Sequence, residues 1–415
     1  MRLDLESTKA LAVELHGRRI GVISRLAGDR QLFALEESYV TDPARPTLSL
    51  SFKAQSGELI TTPRTYVARV PPFFANLLPE GHLRAYLAAH AGVKPEREFF
   101  LLAALGADLP GGMIVTPLDH DHDAAPTPAT DSRNAGEGEA AAPLLRFSLA
   151  GVQLKFSAIL EAAGGLTIPA GGLGGSWIVK LPSAQFPTVP ENEFAMLALA
   201  RATGIKVPPN RLVPVAEIKG LPRDAARLGG EALAVQRFDR GPAGQRIHME
   251  DFAQVFGLFP EDKYERRSYA NVAAVLWAET GADDTYEFVR RLVFSVLIGN
   301  GDMHLKNWSL LYPDGRTPVL SPAYDFVSTV PYIAEDRLGL TFGGTRNLDG
   351  ITKDQVRRFA DRARLPVSTV WEIVPETVAR TIEAWRRLQE ADVLPADLRR
   401  QIDRQIETAA LRTER

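Results

Sequence analysis

Between Leu11 and Phe52 apolar and polar positions alternate in short runs separated by turn residues: Leu11–His16, Arg19–Ile23, Gln31–Leu35 and Thr47–Phe52. Alternation of this kind marks half-buried strands, so a small sheet is predicted to open the chain. From 73 to 105 the spacing becomes helical, with Phe73, Leu77, Leu78, Leu83, Tyr86 and Leu87 followed by Phe99, Phe100, Leu102 and Leu105. Together these runs predict an α+β N-terminal domain over residues 1–118. Residues 119–143 carry almost no large apolar side chain and much Ala, Pro, Gly and charge, the composition of a flexible linker.

Beyond it, Leu144–Leu149, Val152–Leu160 and Ser176–Leu181 read as strands, the last two separated by a glycine-dense turn. A helix is predicted over Glu191–Thr203, started by Pro190 and stopped by Gly204, and Glu231–Phe238 reads as another strand. From Asp251 onward the spacing is mostly helical, as in Phe288, Val289, Leu292, Val293, Val296 and Leu297, interrupted by a hairpin around Pro313-Asp314-Gly315. The second half thus divides into a strand-rich part at 144–240 and a helical part at 241–415. No internal repeat is visible.

Composition narrows the classes. The chain has 415 residues, 45% hydrophobic and 24% charged, an ordinary globular balance that argues against global disorder. With 48 Lys+Arg against 51 Asp+Glu the net charge is −3, so no general drive toward nucleic acid or an anionic membrane exists. The absence of Cys excludes disulfide frameworks, thiolate metal sites and Cys nucleophiles. The N-terminus lacks an export signal and no apolar run reaches the length of a membrane span, so a cytoplasmic protein is expected.

The most informative segment is Gly301-Asp302-Met303-His304-Leu305-Lys306-Asn307, between an apolar helix and the predicted strand Trp308–Tyr312. Asp302 and Asn307 have the D-x-x-x-x-N spacing of a protein-kinase catalytic loop, in which the Asp takes the hydroxyl proton and the Asn binds magnesium. Tyr324-Asp325-Phe326 lies where a D-F-G aspartate, the second metal ligand, is needed; Val327 replaces its glycine. Taken singly, Asp302 could equally cap a helix and Asn307 sit in a turn. Upstream, Trp177-Ile178-Val179-Lys180 is similar to the kinase V-A-I-K strand, and Glu193 on the following helix is the candidate partner of Lys180. The alternative for Lys180 is an edge-strand lysine that snorkels to water. For the phosphates, Ser148 to Lys155 sits between the first two strands, where a phosphate-covering loop belongs. Gly171-Gly172-Leu173-Gly174-Gly175 lacks the Walker spacing and reads as a hairpin turn. The predicted fold is α+β: a two-lobed protein-kinase-like fold with a small α+β N-terminal domain and a helical C-terminal lobe.

With these residues in place the chain resembles the HipA-type serine/threonine kinase toxins of bacterial toxin–antitoxin modules. The marks, in order, are Phe147 to Lys155, Trp177 to Pro182, Asn192-Glu193, Gln236-Arg237-Phe238-Asp239-Arg240, Glu250-Asp251, Gly301 to Asn307 and Tyr324-Asp325. The resemblance implies that Ala150, Gly151, Val152, Gln153, Leu154, Lys155 and Lys180 hold ATP phosphates, and that Gln236, Arg237 and Phe238 form the adenine hinge. It implies Asp302 as base, Asn307 and Asp325 as Mg2+ ligands, and further nucleotide contacts from His304, Leu305, Lys306 and Tyr324. It also implies self-silencing by phosphorylation of Ser148, and an aminoacyl-tRNA synthetase, typically glutamyl-tRNA synthetase, as substrate, with translation arrest and persistence as outcome. A HipB-like helix-turn-helix antitoxin, bringing the pair to operator DNA, is the implied partner.

Two other readings of the catalytic loop exist: a small-molecule phosphotransferase of the aminoglycoside or choline kinase kind, and a catalytically silent co-repressor. Asp119-His120-Asp121-His122-Asp123 has metal-binding residue types but reads as a solvated linker cluster. Arg357, Arg358, Arg362, Arg364, Arg386, Arg387, Arg399 and Arg400 are interleaved with acids and read as solvated helix faces.

Overall fold

The computed structural model describes residues 7–118, 154–161, 164–169, 174–183, 186, 188–333 and 335–413. Ser148, Ala150, Gly151, Val152 and Gln153, the predicted strand Leu144–Leu149, the predicted linker and the Asp119–Asp123 cluster therefore lie outside the described residues, as do Gly171, Gly172 and Leu173.

The opening sheet is antiparallel throughout: β1 (Ala10–Leu15), β2 (Arg18–Leu26), β3 (Arg30–Leu35), β4 (Thr65–Val67) and β5 (Met113–Pro117) in the order β4-β3-β2-β1-β5. Alternation buries one face: Leu11, Val13, Leu15, Ile20, Ile23 and Phe33 are all at or near zero exposure. Against it pack the helices Gly81–Ala91 and Glu98–Leu105 and a single turn at Pro72–Ala75. The predicted strand Thr47–Phe52 is not formed; Leu50–Phe52 is instead a turn of 3-10 helix capped by Ser49. The cause is distant: the Glu250 carboxylate accepts from the Leu50 N–H at 2.9 Å, a backbone donor a ladder would use, and from the Ser49 hydroxyl at 2.5 Å.

A second antiparallel sheet follows, built from β6 (Lys155–Leu160), β7 (Leu166–Thr167), β8 (Trp177–Lys180), β9 (Asn210–Pro214) and β10 (Glu231–Gln236) in the order β7-β6-β8-β10-β9. Between β8 and β9 runs the helix Val189–Ala202, with Pro190 in its first turn and Gly204, at a φ of 91°, just beyond its end. Sequence reading missed β9, whose run is broken by prolines on both sides; it is a sheet-edge strand, where proline is tolerated. One hydrophobic core spans both sheets, joining Leu11, Phe73, Leu102 and Met113 to Phe156, Val179, Leu181 and Ala232.

The remaining lobe is helical, with Tyr269–Glu279, Ala282–Leu297, Lys353–Ala363, Val367–Arg387 and Ala396–Thr413 around a core centred on Tyr269, Phe288, Trp308 and Phe326. A small sheet of β11 (His248–Asp251), β12 (Ser309–Tyr312) and β13 (Val319–Leu320) edges it, and the hairpin falls where Pro313-Asp314-Gly315 places it. One stretch departs from the expected helical spacing: among the described residues 321–350 hold no helix and run as loop along the cleft. Several of the C-terminal arginines pair within their own helices, as Arg357 does with Asp354 at 2.7 Å and Arg387 with Glu383 at 3.1 Å. Among the described residues no helix is long and apolar enough to cross a membrane. The architecture is α+β and two-lobed in the manner of a kinase, and the lobes meet at a cleft of about 750 Å³.

Candidate active site

β8 ends at Lys180, whose stem lies in an apolar strand and whose ammonium enters the cleft. Its Nζ is 2.5 Å from Glu193 Oε1, on the first turns of the Val189–Ala202 helix, and also pairs with Asp325. Lys180 and Glu193 are 9% and 2% exposed at the side chain, so the lysine is buried with its charge compensated rather than snorkelling to water. Burial works against that charge, but the carboxylates of Asp325 and Glu193 outweigh it and hold the Lys180 pKa above the usual lysine range. Burial acts to raise the Asp325 pKa too, yet the Lys180 and Lys155 charges pull it well below the usual carboxylate range. Asp325 is thus an anion held ready in the cleft. Its backbone has a φ of 55°, a left-handed conformation that Asp adopts more readily than most residues, so the turn needs no glycine at Val327.

The catalytic-loop residues come from the turn after the Ala282–Leu297 helix. Asn307 donates its Nδ2 to the Asp302 carbonyl at 2.7 Å, closing the loop and fixing the amide. The Asp302 N–H donates to Asn300 Oδ1 at 3.1 Å, and the Asp302 carboxyl, 53% exposed, faces the cleft mouth, where it accepts from the Tyr264 hydroxyl. The protein around this carboxyl desolvates it and raises its pKa, an effect the Tyr264 hydrogen bond opposes. His304 lies 4.0 Å from Asp302 through Nε2; burial and the Lys263 charge keep it neutral, with a pKa of about 3. Its Nδ1 is buried without a hydrogen-bond partner among the described residues.

The cleft brings together Lys155, Lys180, Gln236, Arg237, Phe238, Asp302, His304, Lys306, Asn307, Tyr324 and Asp325. Phe238 and Tyr324 approach with ring centroids 5.5 Å apart, and the Tyr324 hydroxyl donates to the Lys306 carbonyl at 2.9 Å. Not every predicted contact is a cleft contact. Leu305 is fully buried in the core, and Leu154 packs on the core of the two sheets. The Arg237 guanidinium is committed to Asp239, with bonds of 2.9 and 2.7 Å, and its N–H goes to the Ser176 carbonyl while that of Gln236 goes to Pro209. The Lys306 side chain, also in the cleft lining, is engaged by protein groups: its Nζ donates to the Asn76 carbonyl at 2.9 Å and pairs with Glu80 at 3.0 Å.

Four cleft residues had no short-range sequence signal: Asn76, Glu80, Lys263 and Tyr264. The Asn192 of the Asn192-Glu193 pair acts beside its neighbour, because its amide grips Ser328 and so ties the helix that carries Glu193 to the loop that carries Asp325.

The oxygen donors fit a nucleotide-bound magnesium. Asp325 supplies a carboxylate kept ionised by Lys180, Asn307 an amide oxygen on a side chain already fixed by its own N–H, and hard oxygen ligands suit that ion. Among the described residues no group of three or more His, Asp or Glu side chains is placed to hold a metal.

The HipA-like C-terminal domain pattern matches residues 147–385, and the HipA N-terminal domain pattern matches 11–116. A Sinorhizobium fredii protein named "Putative kinase Y4dM" is 51% identical over 407 residues, covering 97% of this chain and 98% of its own length. A second from the same organism, "Putative kinase Y4mE", is 30% identical over 409 residues, covering 92% and 93%. Among solved structures, HipA from the Shewanella oneidensis HipA, HipB and operator DNA complex superposes with a TM-score of 0.73 at 23% identity, covering 97% of both chains, a likeness of fold. Matched by both domain patterns, and over nearly its full length by these relatives, the chain belongs to the HipA family.

Proposed function

We propose that this chain is an ATP- and magnesium-dependent protein serine/threonine kinase acting as the toxin of a toxin–antitoxin module. The observation that carries the reading is the Lys180–Asp325–Glu193 ion cluster in the same cleft as Asp302 and Asn307. Phosphoryl transfer asks a protein for positioning and charge neutralisation more than for covalent chemistry. Lys180 anchors the phosphates, and Asp302 orients the acceptor hydroxyl and takes its proton. Asn307 and Asp325 are the residues that would hold the metal, and the ion, when bound, neutralises charge on the phosphates. Phe238 and Tyr324 offer ring surface to the adenine.

In this reading the substrate is an aminoacyl-tRNA synthetase of the glutamyl type in the cytoplasm, Ser148 is the self-silencing phosphorylation site, and a HipB-like helix-turn-helix antitoxin carries the pair to operator DNA. Family membership supports this, as does the composition of the Shewanella oneidensis complex. The test is to incubate the purified chain with γ-labelled ATP, magnesium and a panel of aminoacyl-tRNA synthetases, with choline and an aminoglycoside alongside. The reading requires label on one synthetase and, by intact mass, one phosphate on the chain itself that maps to Ser148. Label on the small molecules alone, or on nothing, contradicts it.

A further inference from the structure

The catalytic loop is held from outside its own lobe. Glu80 precedes the Gly81–Ala91 helix of the N-terminal unit, and its side chain lies between two lysines of the helical lobe: Lys306 at 3.0 Å through Oε1 and Lys263 at 2.8 Å through Oε2. Lys306 is the residue before Asn307. It is 4% exposed, and its remaining contacts are the Asn76 carbonyl at 2.9 Å, Asn76 Oδ1 at 3.2 Å and Asp251 at 3.7 Å. On the other side, Lys263 gives its carbonyl to the Leu305 N–H at 3.1 Å, and its neighbour Tyr264 donates a hydroxyl hydrogen bond to Asp302. Asp302, Leu305 and Lys306 are therefore each tied to one connected set of groups, and Glu80 is the member that joins its two arms. Asn76 is itself fixed by donating Nδ2 to the Pro72 and Leu258 carbonyls at 2.9 and 2.8 Å, which makes the seat for Lys306 rigid.

We propose that Glu80, together with Asn76, is a positioning residue for phosphoryl transfer: the N-terminal unit completes the kinase by setting the catalytic loop. This rests on the kinase reading above. Glu80 touches no reacting atom. It acts by fixing the lysines that fix the loop, so its effect falls on the placement of Asp302 and Asn307 more than on nucleotide affinity, which Lys180 and Glu193 govern from the opposite lobe together with Asp325. Burial disfavours the Glu80 charge, but the Lys306 and Lys263 ammoniums overcome this and bring its pKa down to about 2, so the clamp is intact at neutral pH. Neutralising it leaves two buried lysines facing one another with less than full compensation.

The test uses the full chain, magnesium and γ-labelled ATP, reading steady-state turnover of the γ-phosphoryl group, and ATP affinity by calorimetry with a non-hydrolysable analogue. Glu80→Gln keeps the shape and removes the charge. It is expected to lower kcat about 10- to 100-fold while the KM for ATP and the analogue affinity stay within roughly two-fold, since small misplacements of reacting groups cost rates of that order. Glu98→Gln is the control: Glu98 is another buried acid of the N-terminal unit, bonded to Arg69, Arg84 and the Val70 N–H, and it lies outside the cleft lining. It should leave kcat within about two-fold even where it lowers the melting temperature, because the two sites share no partner. In a cycle with Lys306→Met, the double variant should lose little more than the worse single one. An unchanged kcat in Glu80→Gln overturns the proposal. So does an equal fall in Glu98→Gln, which would show general damage to the unit, and so does a loss confined to ATP affinity. A wild-type chain that turns over no ATP would instead remove the kinase reading, and this inference with it.

Discussion

The Asn192 side chain exchanges two hydrogen bonds with one residue of the loop opposite it, giving Nδ2 to the Ser328 carbonyl and accepting the Ser328 N–H on Oδ1, both at 3.0 Å. Asn192 is fully buried, and its neighbour Glu193 holds Lys180. One helical turn thus fixes both ends of the ion cluster, the lysine through Glu193 and the Asp325 loop through Asn192. Asn192→Ala strands a buried N–H and carbonyl at Ser328, and each orphaned group costs about 1–3 kcal/mol. The expected outcome is a lower melting temperature together with weaker ATP binding by calorimetry, because Asp325 loses its anchor. Weaker folding with unaltered ATP affinity would break the link between the two.

Lys180 is predicted to be more costly to remove than to have been absent. Lys180→Met leaves the buried Glu193, and the half-buried Asp325 beside it, without the cation that bonds them both and with only the Lys155 charge nearby, and breaking a buried pair this way costs roughly 3–5 kcal/mol. Denaturant unfolding should show that loss, and ATP binding should vanish. The double variant Lys180→Met/Glu193→Leu should recover stability without recovering binding.

Glu250 makes a prediction about pH. It is buried between the 49–50 turn and Tyr312, and desolvation, only partly offset by hydrogen bonds from Ser49, Tyr312 and the Leu50 N–H, raises its pKa to about 7. The folded state therefore binds a proton more tightly than the unfolded chain, whose glutamate keeps the ordinary value of 4.5. The associated stability is fully present below pH 4.5 and is lost as pH rises through 7, by roughly 3 kcal/mol at the stated shift. Glu250→Gln should flatten that portion of the melting curve against pH. Parallel wild-type and variant curves from pH 4.5 to 8 would refute the assignment.

Gly339 sits where a side chain cannot. A Cβ there would lie 2.8–2.9 Å from the Met303 and His304 backbone, atoms that cannot swing aside. Gly339→Ala must push the catalytic loop, at a cost of about 1–3 kcal/mol for overpacking, and kcat should fall more than ATP affinity. Activity equal to wild type would mean that loop placement tolerates such a shift.

Cleft residues were legible where the spacing that matters is local. Asp302 and Asn307 share one turn and Lys180 ends one apolar strand, so short windows identify them, and Glu193 follows from its helix. Asn76 and Glu80 reach the cleft because the N-terminal unit packs on the helical lobe, and Lys263 and Tyr264 reach it through contacts with a loop some forty residues further along the chain, and nothing in their own neighbourhoods signals it. Leu305 and Leu154, which the resemblance counts among the nucleotide contacts, direct their side chains into or onto the core rather than into the cleft, a placement that only the packed fold reveals. The Thr47–Phe52 alternation misled because the Glu250 carboxylate, 200 residues away along the chain, takes the backbone donor that a strand would need.

The most direct measurement is γ-phosphoryl transfer by purified Asp302→Asn beside the wild-type chain, with magnesium and ATP at saturating concentration and ATP affinity measured in parallel. The asparagine keeps the shape of the side chain and an acceptor for the Tyr264 hydroxyl while removing the base. The account predicts transfer reduced by about 10²- to 10⁴-fold, the usual worth of a positioned general base, with ATP still bound. Transfer near the wild-type rate would contradict it.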